Sequence, residues 1–375
     1  MARVILAMSG GVDSSVAAHL LKHQGHEVIG VFMRHGTAVE SACSVDEPLL
    51  PLAPAAHHGC CTAADAADAR RVAQSMGLPF YALDLHTDFQ QIIDYFVDEY
   101  AAGRTPNPCV VCNHWIKFGR LFDYADSVGA EFVATGHYAR LETIGDQPAL
   151  LRGFDAGKDQ SYVLFGIPRE RLARMLLPVG THAKKEIRAT AEALRLDVAD
   201  KPDSQEICFV TPGRHAEFVR DQLATRTLDG SQQTADRSGD IVTLDGRRVG
   251  RHDGIERFTI GQRKGLQVAL GSPHYVVQID ADRREVVIGP RSALARRGLV
   301  ADQANWLVPP PSDSLECQVQ IRYRCRPVPA TVRLRNDAEF EVEFDEPCHG
   351  VAPGQAAVCY DGDRLLGGGW IVASH

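Results

Sequence analysis

Short apolar runs and amphipathic segments alternate through the first two hundred residues. Val4–Met8, Val28–Met33, Phe80–Leu85 and Phe132–Thr135 are apolar runs, interrupted by Asp84 in the third, and read as buried strands. Between them Val12, Val16, Leu20 and Leu21 fall on one helical face that closes at Gly25. Ala63–Met76 is a second helical segment ending at Gly77, and Ile116–Val128 a third ending at Gly129. Glycine commonly ends a helix because it accepts positive φ without steric cost. This alternation predicts an α/β fold, a doubly wound parallel sheet with helices on both sides.

Residues 35–59 break the pattern: they are rich in Ala, Pro and His, lack a period, and read as a surface loop or lid. Residues 210–270 mix helical and turn signals. After 274 short alternating segments take over at Tyr275–Ile279, Glu285–Ile288, Cys317–Tyr323, Ala330–Leu334 and Glu339–Phe344. In the last, Glu339, Glu341 and Glu343 alternate with Phe340, Val342 and Phe344, a half-buried strand. Several such strands with Pro and Gly turns predict a small antiparallel β-barrel or sandwich. The reading is therefore three domains: 1–209, a small central 210–273, and a β-barrel over 274–375.

Composition adjusts this picture only slightly. A chain of 375 residues, 45% apolar and 23% charged, matches a globular protein with several cores. No stretch approaches the length of a membrane span, and the apolar run in MARVILAMSGG is too short for a secretory signal. A cytoplasmic protein with no membrane partner is expected. The ten cysteines then suggest metal binding or catalysis before structural bridges. Net charge is −8, yet residues 237–297 hold 12 Lys+Arg against 7 Asp+Glu. That excess fits a polyanionic partner or, more commonly, a solvated basic face.

The first candidate site is Ser9-Gly10-Gly11-Val12-Asp13-Ser14-Ser15, between the first strand and first helix. Glycines let backbone approach a phosphate, the serines add hydroxyls, and a helix N-terminus favours an anion. Asp13 would repel phosphate unless it orients the loop or joins a magnesium shell. The Lys of a Walker loop is missing. An ordinary tight turn explains a lone Gly-Gly; the full string resembles the PP-loop of ATP pyrophosphatases, which implies ATP cleavage to AMP and pyrophosphate.

The second candidate is Thr105-Pro106-Asn107-Pro108-Cys109-Val110-Val111-Cys112-Asn113. Its thiols sit just before a helix, where the thiolate is favoured. Cys208 follows in Asp203-Ser204-Gln205-Glu206-Ile207-Cys208-Phe209. Half a zinc site, inert buried thiols and a redox pair remain open beside a catalytic reading. His57, His58, Cys60 and Cys61 could make a metal site of their own or belong to a flexible cap.

Taken together these strings resemble the bacterial tRNA-uridine 2-sulfurtransferase family, the 2-thiouridylases of the MnmA type. The likeness continues through Val31-Phe32-Met33, Ala134-Thr135-Gly136-His137-Tyr138-Ala139-Arg140, Lys158-Asp159-Gln160-Ser161-Tyr162 and Thr259-Ile260-Gly261-Gln262-Arg263-Lys264, to Arg322-Tyr323 and Pro353-Gly354-Gln355. It implies that Ala7, Met8, Ser9, Gly10, Gly11, Val12, Asp13 and Ser14, with Met33 and Gly136, hold ATP and its Mg2+. It implies that Asn107, Pro108 and Cys109 sit beside the target base. It further implies that His137, Lys158, Asp159, Gln160, Arg322, Tyr323 and Gln355 contact tRNA, and that Cys112 and Cys208 are the catalytic pair.

The implied reaction adenylates the C2 oxygen of the wobble uridine and replaces it with sulfur from a Cys208 persulfide, loaded by a sulfur-carrier protein. A Cys112–Cys208 disulfide would remain for reduction. The resemblance also implies tRNA acceptors for Lys, Glu and Gln, and a monomer. Two departures stand out. Known members carry Asp where this chain has Cys109, and related thiolases use three cysteines to hold a 4Fe–4S cluster, so Cys109, Cys112 and Cys208 form an alternative ligand set. The 35–59 segment is longer than usual. A PP-loop synthetase or amidotransferase acting on a small metabolite, and a non-catalytic RNA-binding module, are the competing functions.

Overall fold

In the computed structural model the described residues are 1–34, 62–203, 207–228, 237–310 and 313–375. The expected loop at 35–59, with His57, His58, Cys60 and Cys61, lies outside them, as do positions 204–206 of the Cys208 motif.

The chain begins β1 (Arg3–Ala7), α1 (Val12–His23), β2 (Glu27–Arg34), α2 (Ala63–Ser75), β3 (Phe80–Asp84) and α3 (His86–Ala101). A continuous helical stretch follows: α4 (Pro108–Cys112), a π-helical segment Asn113–Arg120, and α5 (Leu121–Ser127). Next come β4 (Phe132–Ala134), β5 (Ala139–Ile144), β6 (Gln147–Arg152), β7 (Met175–Leu176), α6 (Lys184–Ala193) and α7 (His215–Leu228). Strands β1, β2, β3, β4 and β7 form a parallel sheet in the order β3-β2-β1-β4-β7.

The apolar run of β1 has a direct cause. Val4, Leu6 and Met8 face a core with Val16 and Ala17 of α1, Ala69 and Val72 of α2 and Ile187 of α6. Ile5 and Ala7 face the other way, onto Phe118, Leu121 and Phe122. Both faces are covered, so both parities of the strand are apolar.

Strands β8 (Gly239–Thr243), β9 (Arg248–His252), β10 (Tyr275–Asp280) and β11 (Glu285–Gly289) form a second sheet in the order β10-β11-β8-β9. Segments 275–279 and 285–288, grouped by alternation with the barrel, thus belong to the middle sheet through the β11–β8 pairing. Alternation reports a half-buried strand but not which sheet it joins.

The third unit contains β12 (Ala295–Trp306), β13 (Ser314–Gln320), β14 (Val328–Leu334), β15 (Phe340–His349), β16 (Ala356–Asp361) and β17 (Arg364–Ser374). They run β12-β15-β14-β13-β16-β17, and β12 pairs again with β17, closing an antiparallel barrel without open edges. The β5–β6 hairpin of the first domain extends the same sheet at Arg364↔Leu151. Ala356, Val358 and Tyr360 of the barrel share a core with Ile5, Phe122 and Leu164. The two domains are welded by apolar packing.

Candidate functional site at the carboxyl edge of the parallel sheet

The carboxyl ends of β1, β2 and β4 deliver Met8–Ser14, Met33 and Gly136 to one edge, where ligands bind in open α/β sheets. Gly10 has φ +71°, and a Cβ there would collide with the Asp65 carbonyl, the first turn of α2. Gly11 caps α1 with no side-chain bond, so the first-turn N–H groups keep their donors for an anion. Ser14 Oγ and Ser15 Oγ both donate to the Gly11 carbonyl, at 3.2 and 2.8 Å, and both serines are buried. A Cβ on Gly136 would lie 2.9 Å from Ser14 N; glycine there keeps that donor reachable. These features fit a nucleotide's phosphates.

Asp13 neither faces phosphate unshielded nor stands alone. Lys184 Nζ, at the start of α6, holds both its oxygens at 2.7 and 2.8 Å, and Tyr138 Oη donates at 2.7 Å. Lys184 also reaches Asp203 at 2.8 Å, and Asp203 takes Lys158 and Arg188 at 2.8 and 2.9 Å. Burial opposes the charge of Asp203, but hydrogen bonds from Lys158 and Lys184 outweigh it and lower its pKa to about 2. Lys201 pins the loop from below, bonding the Gly10 carbonyl at 2.9 Å and Asp65 and Asp68 at 2.6 Å. Lys184 and Lys201 escaped the sequence reading. The signal was indirect: a carboxylate inside a phosphate loop demands a cation, but no local spacing says which.

The cysteine segment meets this edge at Met33, which packs on the apolar cluster that Cys112 and Cys208 border. Asn107 Oδ1 caps α4 by accepting from Val110 N at 3.4 Å, and Pro108 occupies the first helical turn. Val110 and Val111 are buried while Cys109 is exposed. Cys112 and Cys208, both half-buried, fringe one apolar cluster formed by Leu85, Phe89, Ile92, Val111 and Ile116. The π-helical turn follows Cys112 directly, an irregularity frequent at functional sites. The hydroxyl pKa of Tyr323, on the barrel, is raised by burial and then by Asp159.

The barrel fixes this segment. Gln355 Nε2 donates to the carbonyls of Thr105 and Pro106 at 3.0 and 3.1 Å, and Thr105 N donates to Pro353 O at 2.8 Å. Gly354, at φ +88°, sits so close that a Cβ would be 2.9 Å from Thr105 O.

The residues expected at a tRNA surface therefore divide. Tyr323 is 37% exposed, and Arg322 holds the Ile260 carbonyl at 2.7 Å. Gln355 is buried with both amide hydrogens committed. His137 is buried against Thr135 and Phe118, its pKa depressed by burial and then by Lys117. Asp159 accepts from Arg152, Gly153 N and Ser161, and Gln160 Oε1 accepts from Tyr138 N at 2.9 Å. Lys158 is tied to Asp203.

Among the described residues no three His, Cys, Asp or Glu side chains are grouped to hold a metal ion. Cys109, Cys112 and Cys208 are all described and do not form such a group around one ion. Among the described residues no helix is long and apolar enough to cross a membrane.

Comparison with known proteins follows the same divisions. Residues 2–212 match the model of the tRNA methyl transferase HUP domain, 231–290 its PRC-barrel domain, and 296–371 the aminomethyltransferase β-barrel domain. A tRNA-specific 2-thiouridylase MnmA of Rhodopirellula baltica is 57% identical over 99% of this chain and 96% of its own. The protein of the same name from Geotalea uraniireducens is 46% identical over 98% and 94%. Among solved structures, the U34-tRNA thiolase NcsA of Methanococcus maripaludis with its 4Fe–4S cluster covers 60% of this chain and 67% of its own at 16% identity, and its TM-score of 0.33 is too low to argue from.

Proposed function

The chain belongs to the tRNA-specific 2-thiouridylase family, and on that premise we propose that it replaces the C2 oxygen of a tRNA wobble uridine with sulfur at the expense of ATP. The observation that carries this reading is the junction of a phosphate-ready loop with two cysteines, Cys112 and Cys208, on one apolar cluster.

The loop N–H groups and the α1 N-terminus would bind the phosphates of ATP, with Mg2+ as their counter-ion, and stabilise charge as pyrophosphate leaves. The C2 oxygen becomes an adenylate, turning a poor leaving group into AMP. The terminal sulfur of a Cys208 persulfide then attacks C2 and AMP departs, leaving a C2–S–S–Cys208 linkage. The Cys112 thiolate attacks Cys208 Sγ. The S–S bond breaks toward the base, the electron pair stays on the sulfur at C2, and a Cys112–Cys208 disulfide forms. An external dithiol reduces it. A persulfide sulfur-carrier protein supplies the sulfur, and the acceptors are tRNAs for Lys, Glu and Gln, met in the cytoplasm by a monomer. The target base must leave its stack to reach the cysteines, which a single-stranded anticodon loop allows.

The test is thiolation of those tRNAs with ATP and a persulfide donor, read by retardation in a mercury-containing gel. Thiolation lost in both Cys112→Ser and Cys208→Ser but kept in Cys109→Ala is the expected result. Pyrophosphate release that ignores tRNA would overturn the reading in favour of a small-metabolite synthetase.

A further inference from the structure

Trp115 carries an exposed indole beside the cysteines, and none of the reaction steps above uses it. It is three residues beyond Cys112, inside the π-helical turn Asn113–Arg120, and 42% of its surface is open. Its inner side is not loose. The Tyr95 ring meets it edge-on, with centroids 6.4 Å apart and planes at 67°. Tyr95 in turn leans on Trp370 of β17 at 6.0 Å, and Trp370 on Phe165 at 5.8 Å. Tyr95, Trp370, Cys112 and Cys208 all border the same apolar cluster. A column of rings thus rises from the barrel and ends at the surface with Trp115, next to the thiols.

Tyr323 of the barrel is a second ring open to solvent, 37% exposed, and it leans on Tyr162 at 6.2 Å. A uridine drawn out of its stack leaves two neighbouring bases with bare faces, and an anchored indole is the side chain best suited to cover one.

We propose that Trp115 is a base-stacking platform: it holds, face to face, a nucleobase adjacent to the target uridine and so keeps the anticodon loop open over Cys112 and Cys208. The inference rests on the thiouridylase reading and adds a substrate-binding subsite to it. Trp115 binds; it moves no proton and touches no reacting atom.

The experiment measures binding of the full-length protein to an anticodon stem-loop RNA with uridine at the wobble position. The RNA is compared with copies in which either neighbour of that uridine is abasic. Trp115→Ala and Trp115→Leu are expected to weaken binding of the intact RNA by roughly 5- to 150-fold, the span of one base–aromatic stack. Trp115→Phe is expected to stay within a few-fold of wild type. One of the two abasic RNAs should lose as much on the wild-type protein and nothing further on Trp115→Ala. Trp115→Leu keeps apolar bulk against Tyr95, so a loss shared by Ala and Leu but not Phe reports stacking and not folding. Equal binding by Trp115→Ala and wild type, or a loss unaffected by either abasic site, overturns the proposal. If the wild-type protein neither binds nor thiolates the RNA, the thiouridylase reading has failed, and the platform falls with it.

Discussion

The nucleotide loop and the cysteine helix share one edge of the sheet, yet they are built differently. Around Ser9–Ser15, Ser14 and Ser15 are buried, Gly10 is wedged under α2, and Asp13 is locked to Lys184 and Tyr138. Around Pro108–Arg120 the helix is irregular, Cys109 and Trp115 are exposed, and support comes from a distant barrel turn through Gln355. The difference follows the two chemistries. Stabilising charge on departing pyrophosphate needs donors fixed beforehand, since reorganisation would cost what they gain. Under the proposed reaction, passing sulfur to a tRNA base needs a thiol segment whose rim a large partner can reach.

If that contrast holds, the largest effects come from the thiols. Cys112→Ser or Cys208→Ser should lower thiolation on the order of a thousandfold or more while ATP binding persists, because members of one covalent relay fail together. A parallel loss of ATP affinity would break the distinction. Lys184→Met should come next. It strips a nearly buried cation from Asp13 and Asp203; Asp203 keeps Lys158 and Arg188, so the loss falls on Asp13 and should cost about 1–3 kcal/mol; chemical denaturation should show it, together with weaker ATP binding.

Gly136→Ala sharpens the comparison from the loop side. Its new Cβ would be 2.9 Å from Ser14 N, so the KM for ATP should rise roughly tenfold, about 1.4 kcal/mol, with the cysteines untouched. Gln355→Leu does the reverse. It leaves the Thr105 and Pro106 carbonyls without their donor, for a cost of about 1–3 kcal/mol. Sulfur transfer should slow while the KM for ATP stays put.

The smallest effect is in acid. Asp203 binds its proton more weakly when folded than its ordinary 3.8, so its stabilisation is full above that pH and fades as pH falls toward 2. Asp203→Asn should flatten that part of the stability–pH curve measured by thermal melting.

The sequence disclosed this contrast unevenly. The loop was readable because its strand, glycines and helix are contiguous, and Val4–Met8 announces a two-faced core. Amphipathic helix α3 went unremarked although Phe89, Ile92, Phe96 and Val97 carry its period. What failed was everything non-local. Asp13 finds Lys184 across 171 positions, and Gln355 finds Thr105 across 250. The β5–β6 hairpin joins a sheet completed more than two hundred residues later, at Arg364. Local periodicity carries no term for such partners. For the same reason the motifs of Gln355, His137 and Asp159, which the resemblance assigns to tRNA contact, do not name the partners that their polar atoms bond within the folded chain.

The clasp on Thr105 has a consequence for synthesis. Gly354 N donates to Ile371 O and Ile371 N to Gln355 O, both at 2.8–2.9 Å, so the turn that seats the thiol segment is itself held by the last strand. On the ribosome, Thr105 emerges 250 positions ahead of the Gln355 that clasps it, and the clasp closes only after residue 371 has left the tunnel. The thiol segment of a nascent chain thus waits for nearly the whole polypeptide before it is seated.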